Sequence, residues 1–182
     1  ITAVDFEYAK AMKASIKLLG MSKKVDGTFY SMVAPFMIGQ QHPLIGVNGV
    51  FNGIFVHGNV LDDVMFYGRG AGKLPTASAV VSDIVDAVKH MHTNIMTIWE
   101  ERKSNLGKFE DCENKFFVRM KDKGLDDDQM LGIKNAFGDV LYVKAPGVND
   151  ELAFVTNKMR EGDFAEHIAK FDDVYSVIRV DF

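Results

Sequence analysis

Residues 66–86 have the sequence FYGRGAGKLPTASAVVSDIVD, which passes from an apolar strand through a glycine-rich loop into a helix. The loop carries three alternate glycines, Gly68, Gly70 and Gly72, and Pro75 stands where a helix tolerates proline, in its first turn. Because glycine lacks a Cβ atom, the main chain here can adopt positive φ and approach a ligand closely. The pattern predicts a tight strand-to-helix connection, which either binds a polar or anionic group or serves as a connection only.

The segments on either side of this loop predict a hairpin and a long amphipathic helix. Residues 50–57 and 60–67 are apolar runs separated by Gly58 and Asn59, which suits a two-residue turn of type II′. Both faces of this hairpin are apolar, so it needs a cover from helices, another domain or another subunit. From Pro75 to about His92, apolar residues recur at helical spacing and form one stripe.

Two phosphate-binding motifs do not fit the glycine loop. The phosphate loop of nucleotide hydrolases requires four residues between its first glycine and the Gly-Lys pair, whereas three separate Gly68 from Gly72. The dinucleotide fingerprint G-x-G-x-x-G would place a glycine where Lys73 stands. The spacing alone therefore assigns no nucleotide to this loop.

The remaining periodicities predict an α+β chain with a mixed or antiparallel sheet and helices on one face, followed by a ferredoxin-like module. Residues 3–19 predict a helix ending near Gly20, and residues 27–38 predict a strand whose Pro35 lies at an edge or an end. Periodicity is lost after Trp99, which places a linker at residues 106–112 between domains 1–105 and 113–182. The second domain reads β-α-β-β-α-β, and Asp126 with Gln129 predicts a capping box at its first helix.

Composition restricts the class of protein further. Of the 182 residues, 47% are apolar, which supports a packed core, yet no apolar run approaches the length of a membrane span. The net charge of −4 argues against a nucleic-acid partner, and a single cysteine fits a reducing, cytoplasmic setting. The first residue is Ile1 rather than methionine, so we expect the chain to be part of a longer protein.

Other candidate side chains do not assemble into a site in the sequence. His90 and His92 are two residues apart and would point to different sides of a helix, so they cannot chelate one metal ion. His42, His57 and His167 are isolated, and Cys112 lacks the basic surroundings of a catalytic thiolate. We therefore expect no catalytic residue and no metal ligand in this chain.

Three segments together resemble the C-terminal part of homoserine dehydrogenases. They are IKLL at residues 16–19, HPLIGVNGVFNGIFVHG at residues 42–58, and the stretch 66–86 quoted above. Within the last, G-x-G-A-G-x-x-P-T-A-S-A is far more specific than a bare glycine pair. Residues 113–182 resemble the small ACT regulatory domain that many bacterial members carry.

This resemblance implies an oxidoreductase that interconverts L-homoserine and L-aspartate 4-semialdehyde with NADP or NAD, in the biosynthesis of threonine, isoleucine and methionine. It implies a homo-oligomer, a dimer or a tetramer, whose sheet pairs two subunits, and an amino-acid effector such as threonine. Gly72 matches the family glycine that contacts the nicotinamide cofactor from outside the Rossmann domain. Gly70, Ala71 and Thr76 lie beside it on the same loop, and we expect them to contribute to cofactor binding.

The chain also departs from the family. The resemblance places the Rossmann domain and the proton-donating lysine, within G-x-D-x-x-x-K, upstream of Ile1. Asp5 and Lys10 are spaced one residue too far apart to replace that segment. We therefore expect the isolated chain to be inactive. The stretch Asp122-Lys123-Gly124-Leu125 lacks the proline of the D-x-P-G turn found in ligand-binding ACT domains. A non-enzymatic amino-acid sensor is the alternative, and the sequence upstream of Ile1 would discriminate between the two.

Overall fold

The computed structural model describes residues 1–99, 101, 103–124 and 127–182, with the backbone alone at Asp127. Four helices and nine strands occur in this described part. In chain order they are α1 (Ala3–Ala11), β1 (Ala14–Val25), β2 (Thr28–Gly39), β3 (Phe51–Gly58), β4 (Asp62–Arg69), α2 (Lys73–Lys89), β5 (Glu113–Lys121), α3 (Asp127–Phe137), β6 (Leu141–Val143), β7 (Glu151–Val155), β8 (Met159–Arg160), α4 (Glu161–Ile168) and β9 (Val174–Asp181).

One mixed sheet contains every strand except the β3–β4 hairpin. Its strand order is β1-β2-β9-β5-β7-β6, and the two-residue strand β8 pairs with the start of β5. The pairing of β2 with β9 is parallel, and the other pairings along the sheet are antiparallel. From β5 onward the elements follow the predicted order of strand, helix, strand, strand, helix, strand, with β8 as a short addition.

Both faces of this sheet are covered by helices. Alternating residues of β5 point to opposite sides, so Phe117 packs with Tyr8 of α1 while Phe116 packs with Phe164 of α4. Helix α3 lies on the same side as α4 and contributes Ile133. The expectation of helices on one face is therefore wrong for this sheet, because α1 packs on one face whereas α3 and α4 pack on the other.

The first helix is shorter than the sequence predicts. Helix α1 ends at Ala11, Lys13 adopts a φ of 54°, and β1 begins at Ala14. Residues 16–19, which helical spacing placed in the helix, lie in β1 and pair with β2. Residues 14–25 pair with β2 at twelve positions. This pairing outweighs the helical preference that the spacing of the residues indicates.

Proline 35 lies within β2, where the strand changes from one neighbour to two. It is paired with Leu18 of β1, and the parallel pairing with β9 begins at the next residue, Phe36. Because proline has no N–H to donate, it fits a position at which the second neighbour is absent. Pro35 therefore lies where β2 is still an edge strand, as expected, although β2 becomes an internal strand from Phe36 onward.

The predicted linker, residues 106–112, packs against β2. Phe29 donates its N–H to the Asn105 carbonyl at 2.8 Å and accepts the Gly107 N–H at 2.9 Å, and Cys112 is buried. The compact units of the structure are Ile1–His42 with Ser104–Phe182, and Pro43–Lys103, which differs from the predicted division into 1–105 and 113–182. The assignment of residues 113–182 to the ACT family stays a prediction. Gln129 is described, but Asp126 of the proposed capping box lies outside the described residues.

The second unit contains a 3₁₀ turn at Pro43–Gly46, the β3–β4 hairpin and helix α2. Gly58 pairs directly with Asp62, so the loop has three residues, 59–61, rather than the expected two. Asp62 adopts a φ of 58°, a left-handed conformation that aspartate tolerates and that three-residue hairpin loops use. The prediction of a type II′ turn is wrong, whereas the hairpin itself is confirmed.

The apolar surfaces of this unit are exposed in the single chain. On the hairpin, Ile54 and Phe66 are each 63% exposed. On α2, the predicted stripe lies between 46% and 58% exposed at Val80, Val81, Ile84, Val85 and Val88. Among the described helices, none combines the length and the apolar character that crossing a membrane requires.

Candidate functional site: the glycine loop before helix α2

The connection between β4 and α2 is only three residues long. β4 ends at Arg69 and α2 begins at Lys73, with Pro75 in the first helical turn as predicted. Gly72 caps the helix with φ 126° and ψ 155°, a combination that is essentially restricted to glycine. Its carbonyl accepts the Thr76 N–H at 3.1 Å, which forms the first helical hydrogen bond. The strand, glycine loop and helix therefore occur as the sequence predicts.

The base of the loop is fixed by side chains of the hairpin. The Phe51 and Tyr67 rings stack with centroids 4.9 Å apart, and the Arg69 guanidinium lies 5.2 Å from the Phe51 ring. A Cβ atom added to Gly70 would lie 2.1 Å from Nδ2 of Asn52, so a larger residue would displace that side chain. The loop thus passes close to β3 at Gly70 and turns into the helix at Gly72.

The four residues that the resemblance assigned to cofactor binding form one exposed segment. Gly70, Ala71, Gly72 and Thr76 are all exposed, so a ligand could reach the main chain of the loop. Thr76 is the fourth residue of α2, and Gly72 holds the cap position. Thr76 therefore lies in the first turn of the helix rather than on the loop itself, and its side chain is exposed.

Sequence reasoning missed a cluster of three ligand-type side chains at the other end of the hairpin. The ring Nδ1 of His57 lies 2.7 Å from Asp63 Oδ1 and 3.7 Å from Asp62 Oδ1. One ligand atom from each residue lies within 4.8 Å of the others, a spacing that a metal ion could bridge. The available signal was a histidine before a hairpin loop and two acids after it, which pairing across the hairpin brings together.

The cluster has a predictable effect on protonation. A hydrogen bond from the His57 ring to Asp63, together with that carboxylate's negative charge, raises the pKa of His57 above its usual value. Its protonation therefore favours the folded hairpin at pH values below the unfolded-state pKa, and this effect fades as pH rises through the folded-state pKa. Replacing Asp63 with asparagine should lower the pKa of His57 in an NMR titration of its ring. Replacing Asp62 should lower it less, and an equal effect of both changes would contradict this assignment.

Two other candidate histidines have partners within the chain, and the candidate cysteine is buried. His90 hydrogen-bonds to the Asp86 carbonyl at 2.9 Å, and His42 lies 3.6 Å from Asp181. Burial raises the pKa of the Cys112 thiol, which keeps it protonated and disfavours a nucleophilic thiolate.

The sequence of this chain is similar to that of known proteins. Residues 1–85 match the family described as homoserine dehydrogenase. Homoserine dehydrogenase from Synechocystis sp. is 33% identical over 99% of this chain and 47% of its own length. The Bacillus subtilis enzyme is 29% identical over 99% of the chain and 44% of its length.

Solved structures agree in fold. A homoserine dehydrogenase from Thiobacillus denitrificans superposes with a TM-score of 0.79 over the whole chain and 46% of that protein, at 23% identity. The chain thus spans just under half the length of the relatives that it matches. The matched region includes β3, β4, the glycine loop and most of α2. The chain therefore belongs to the homoserine dehydrogenase family.

Proposed function

We propose that this chain is the C-terminal part of a dehydrogenase that interconverts L-homoserine and L-aspartate 4-semialdehyde with NADP or NAD. The main support is the glycine loop, whose Gly72 holds a conformation restricted to glycine on an exposed part of the chain matched by the family. The relatives are homoserine dehydrogenases, and we infer the same reaction for the protein to which this chain belongs.

The nicotinamide group, when bound, supplies the hydride acceptor for oxidation of the homoserine alcohol. The loop fits such a flat ring because Gly70 and Gly72 carry no side chain and the main chain between them is exposed. The chain's own residues would position the ring and exclude water on one side of the substrate cleft. The proton of the alcohol would pass to a lysine in the upstream part of the enzyme.

The exposed apolar surfaces support a homo-oligomer. Hairpin β3–β4 and helix α2 present large apolar side chains that no described residue of the chain covers fully. Contiguous apolar surface of this kind usually marks an interface with another domain or subunit. In the proposed enzyme, a second subunit and the coenzyme-binding domain would supply this cover.

The C-terminal module supports a regulatory role. Its neighbour order β9-β5-β7-β6 separates the two strands of each β-α-β unit by one strand of the other unit. This split arrangement is that of the ferredoxin-like fold, to which ACT domains belong. We infer that residues 113–182 form an ACT domain that binds an amino-acid effector such as threonine.

The isolated chain tests whether the catalytic lysine and the coenzyme-binding domain belong to the upstream part of the protein. The 182-residue polypeptide should not oxidise NADPH in the presence of L-aspartate 4-semialdehyde, because the proton-donating lysine and the Rossmann domain belong to the upstream part. The full-length protein encoded by the gene should catalyse the reaction, as followed by absorbance of NADPH. Turnover by the isolated chain would contradict the proposed division. An inactive full-length protein with an amino-acid ligand would favour the sensor alternative.

A further inference from the structure

The loop end of the β3–β4 hairpin brings one imidazole and two carboxylates together. His57 pairs directly across the hairpin with Asp63. Asp62 would ordinarily face away from Asp63, because successive side chains of a strand point to opposite sides. Its left-handed backbone, with a φ of 58°, interrupts this alternation, and its carboxylate also approaches the ring of His57. Three side chains of the types that bind metal ions therefore meet at one point.

The spacing of the three ligand atoms fits one small metal ion. The ligand atoms of a tetrahedral zinc site lie about 2.0–2.2 Å from the ion and therefore about 3.3 Å from one another. The distances from His57 Nδ1, 2.7 Å to Asp63 Oδ1 and 3.7 Å to Asp62 Oδ1, lie on either side of that value. All three side chains are more than half exposed, so an ion can reach them without any opening of the fold.

The charge of this cluster also favours a cation. Asp62 and Asp63 are adjacent carboxylates, and within the described part of the chain neither forms an ion pair with a lysine or an arginine. Their partner there is His57, which carries a positive charge only while its ring is protonated. With a neutral ring the cluster holds two negative charges, which one divalent ion would balance.

We propose that His57, Asp62 and Asp63 bind one divalent transition-metal ion of the zinc type, through His57 Nδ1 and one oxygen of each carboxylate. An imidazole nitrogen suits zinc, nickel and copper, whereas magnesium and calcium take oxygen ligands and need about six or more of them. Three protein ligands leave a fourth position for water. The ion would link β3 to β4 across the loop at residues 59–61.

This site lies at the opposite end of the hairpin from the glycine loop. Asp62 and Arg69 are the first and last residues of β4, which corresponds to a separation of about 23 Å along the strand. An ion bound to the cluster should therefore not contact the coenzyme, and variants of the cluster should retain dehydrogenase activity. Metal binding and the dehydrogenase reaction can thus succeed or fail separately.

Titration calorimetry with Zn²⁺ on the full-length protein tests the proposal, with no affinity tag and after removal of bound metal by a chelator. We expect a saturable step of one ion per subunit. His57→Ala should weaken this step by at least about tenfold, since the loss of even an outer partner costs that much at a metal site. Asp62→Asn should also weaken it, and asparagine tolerates the left-handed conformation at this position.

His90 provides the matched control for His57. Its Nδ1 lies 3.4 Å from Asp86 Oδ1, but no third side chain completes a metal-binding cluster there among the residues that the structure describes. His90→Ala should therefore leave the zinc isotherm unchanged. Equal zinc binding by the wild-type and His57→Ala proteins, or an equal loss of binding with His90→Ala, would overturn the proposal.

Hydrogen exchange then locates the ion and identifies its class. Bound Zn²⁺ should slow backbone amide exchange at residues 58–63 in the wild-type protein but not in His57→Ala, because the ion holds the two strands together. Mg²⁺ and Ca²⁺ at the same concentration should give no such protection. Equal protection by Mg²⁺ or Ca²⁺ would contradict the assignment to a transition metal. Unchanged exchange with Zn²⁺ would show that any bound ion lies elsewhere.

Discussion

Replacing Arg119 with methionine should destabilise the chain by about 3–5 kcal/mol, measured by urea denaturation, because it leaves a buried carboxylate without its cation. Arg119 is 3% exposed and Asp5 is fully buried. The Arg119 Nε lies 3.1 Å from Asp5 Oδ1, an ion pair without a well-aligned hydrogen bond. Its two other nitrogens donate to Glu151 at 3.1 Å and to the Thr2 hydroxyl at 3.0 Å.

This network joins the first helix to the C-terminal module. Asp5 also accepts the backbone N–H of Thr2 at 2.6 Å, so the same carboxylate caps α1 and neutralises an arginine of β5. Removing Arg119 should therefore leave the negative charge of Asp5 unpaired in an apolar environment. It should also loosen α1 from the sheet. Increased backbone hydrogen exchange in α1 would report this local effect.

Two controls separate the buried pair from a general effect of losing an arginine. Arg160 pairs with Asp111 at the surface, so Arg160→Met should leave the denaturation midpoint nearly unchanged. The double change Asp5→Asn with Arg119→Met should be less destabilised than Arg119→Met alone, because the unpaired charge is gone. A double variant that is no more stable than Arg119→Met alone would contradict this account.

The sequence predicts those parts of the fold whose pattern is local. The β3–β4 hairpin, helix α2 and the order of elements after Glu113 all follow from periodicity within short windows. The first helix was predicted too long because residues 14–19 form a strand only by pairing with β2. The joining of β2 to β9 was equally inaccessible, since it links strands from opposite ends of the chain.

The candidate site, like the fold, is predictable only where its pattern is local. The glycine spacing and Pro75 predict the loop before α2, because they express a backbone requirement of adjacent residues. The side chains of Asp5 and Arg119 become neighbours only in the folded chain. Residue type alone gave no reason to associate them.

Replacing Gly72 with alanine should reduce the kcat/KM of the full-length enzyme for its coenzyme by tens of fold. At φ 126° and ψ 155°, alanine costs about 1–3 kcal/mol, so the loop would leave its native conformation. The added methyl group would also lie on the exposed main chain that the nicotinamide ring is proposed to contact. We expect steady-state kinetics to show the loss mainly as a raised coenzyme KM.

Gly68 provides the matched control for this prediction. It precedes the loop on β4, has no atom within 4 Å of an added Cβ and does not adopt positive φ, so Gly68→Ala should retain near-native kinetics. A Gly72→Ala enzyme with lower thermal stability but an unchanged coenzyme KM would show that Gly72 serves the turn alone. The conformation restricted to glycine would then reflect the connection into α2, and the coenzyme would have to be positioned by other parts of the enzyme.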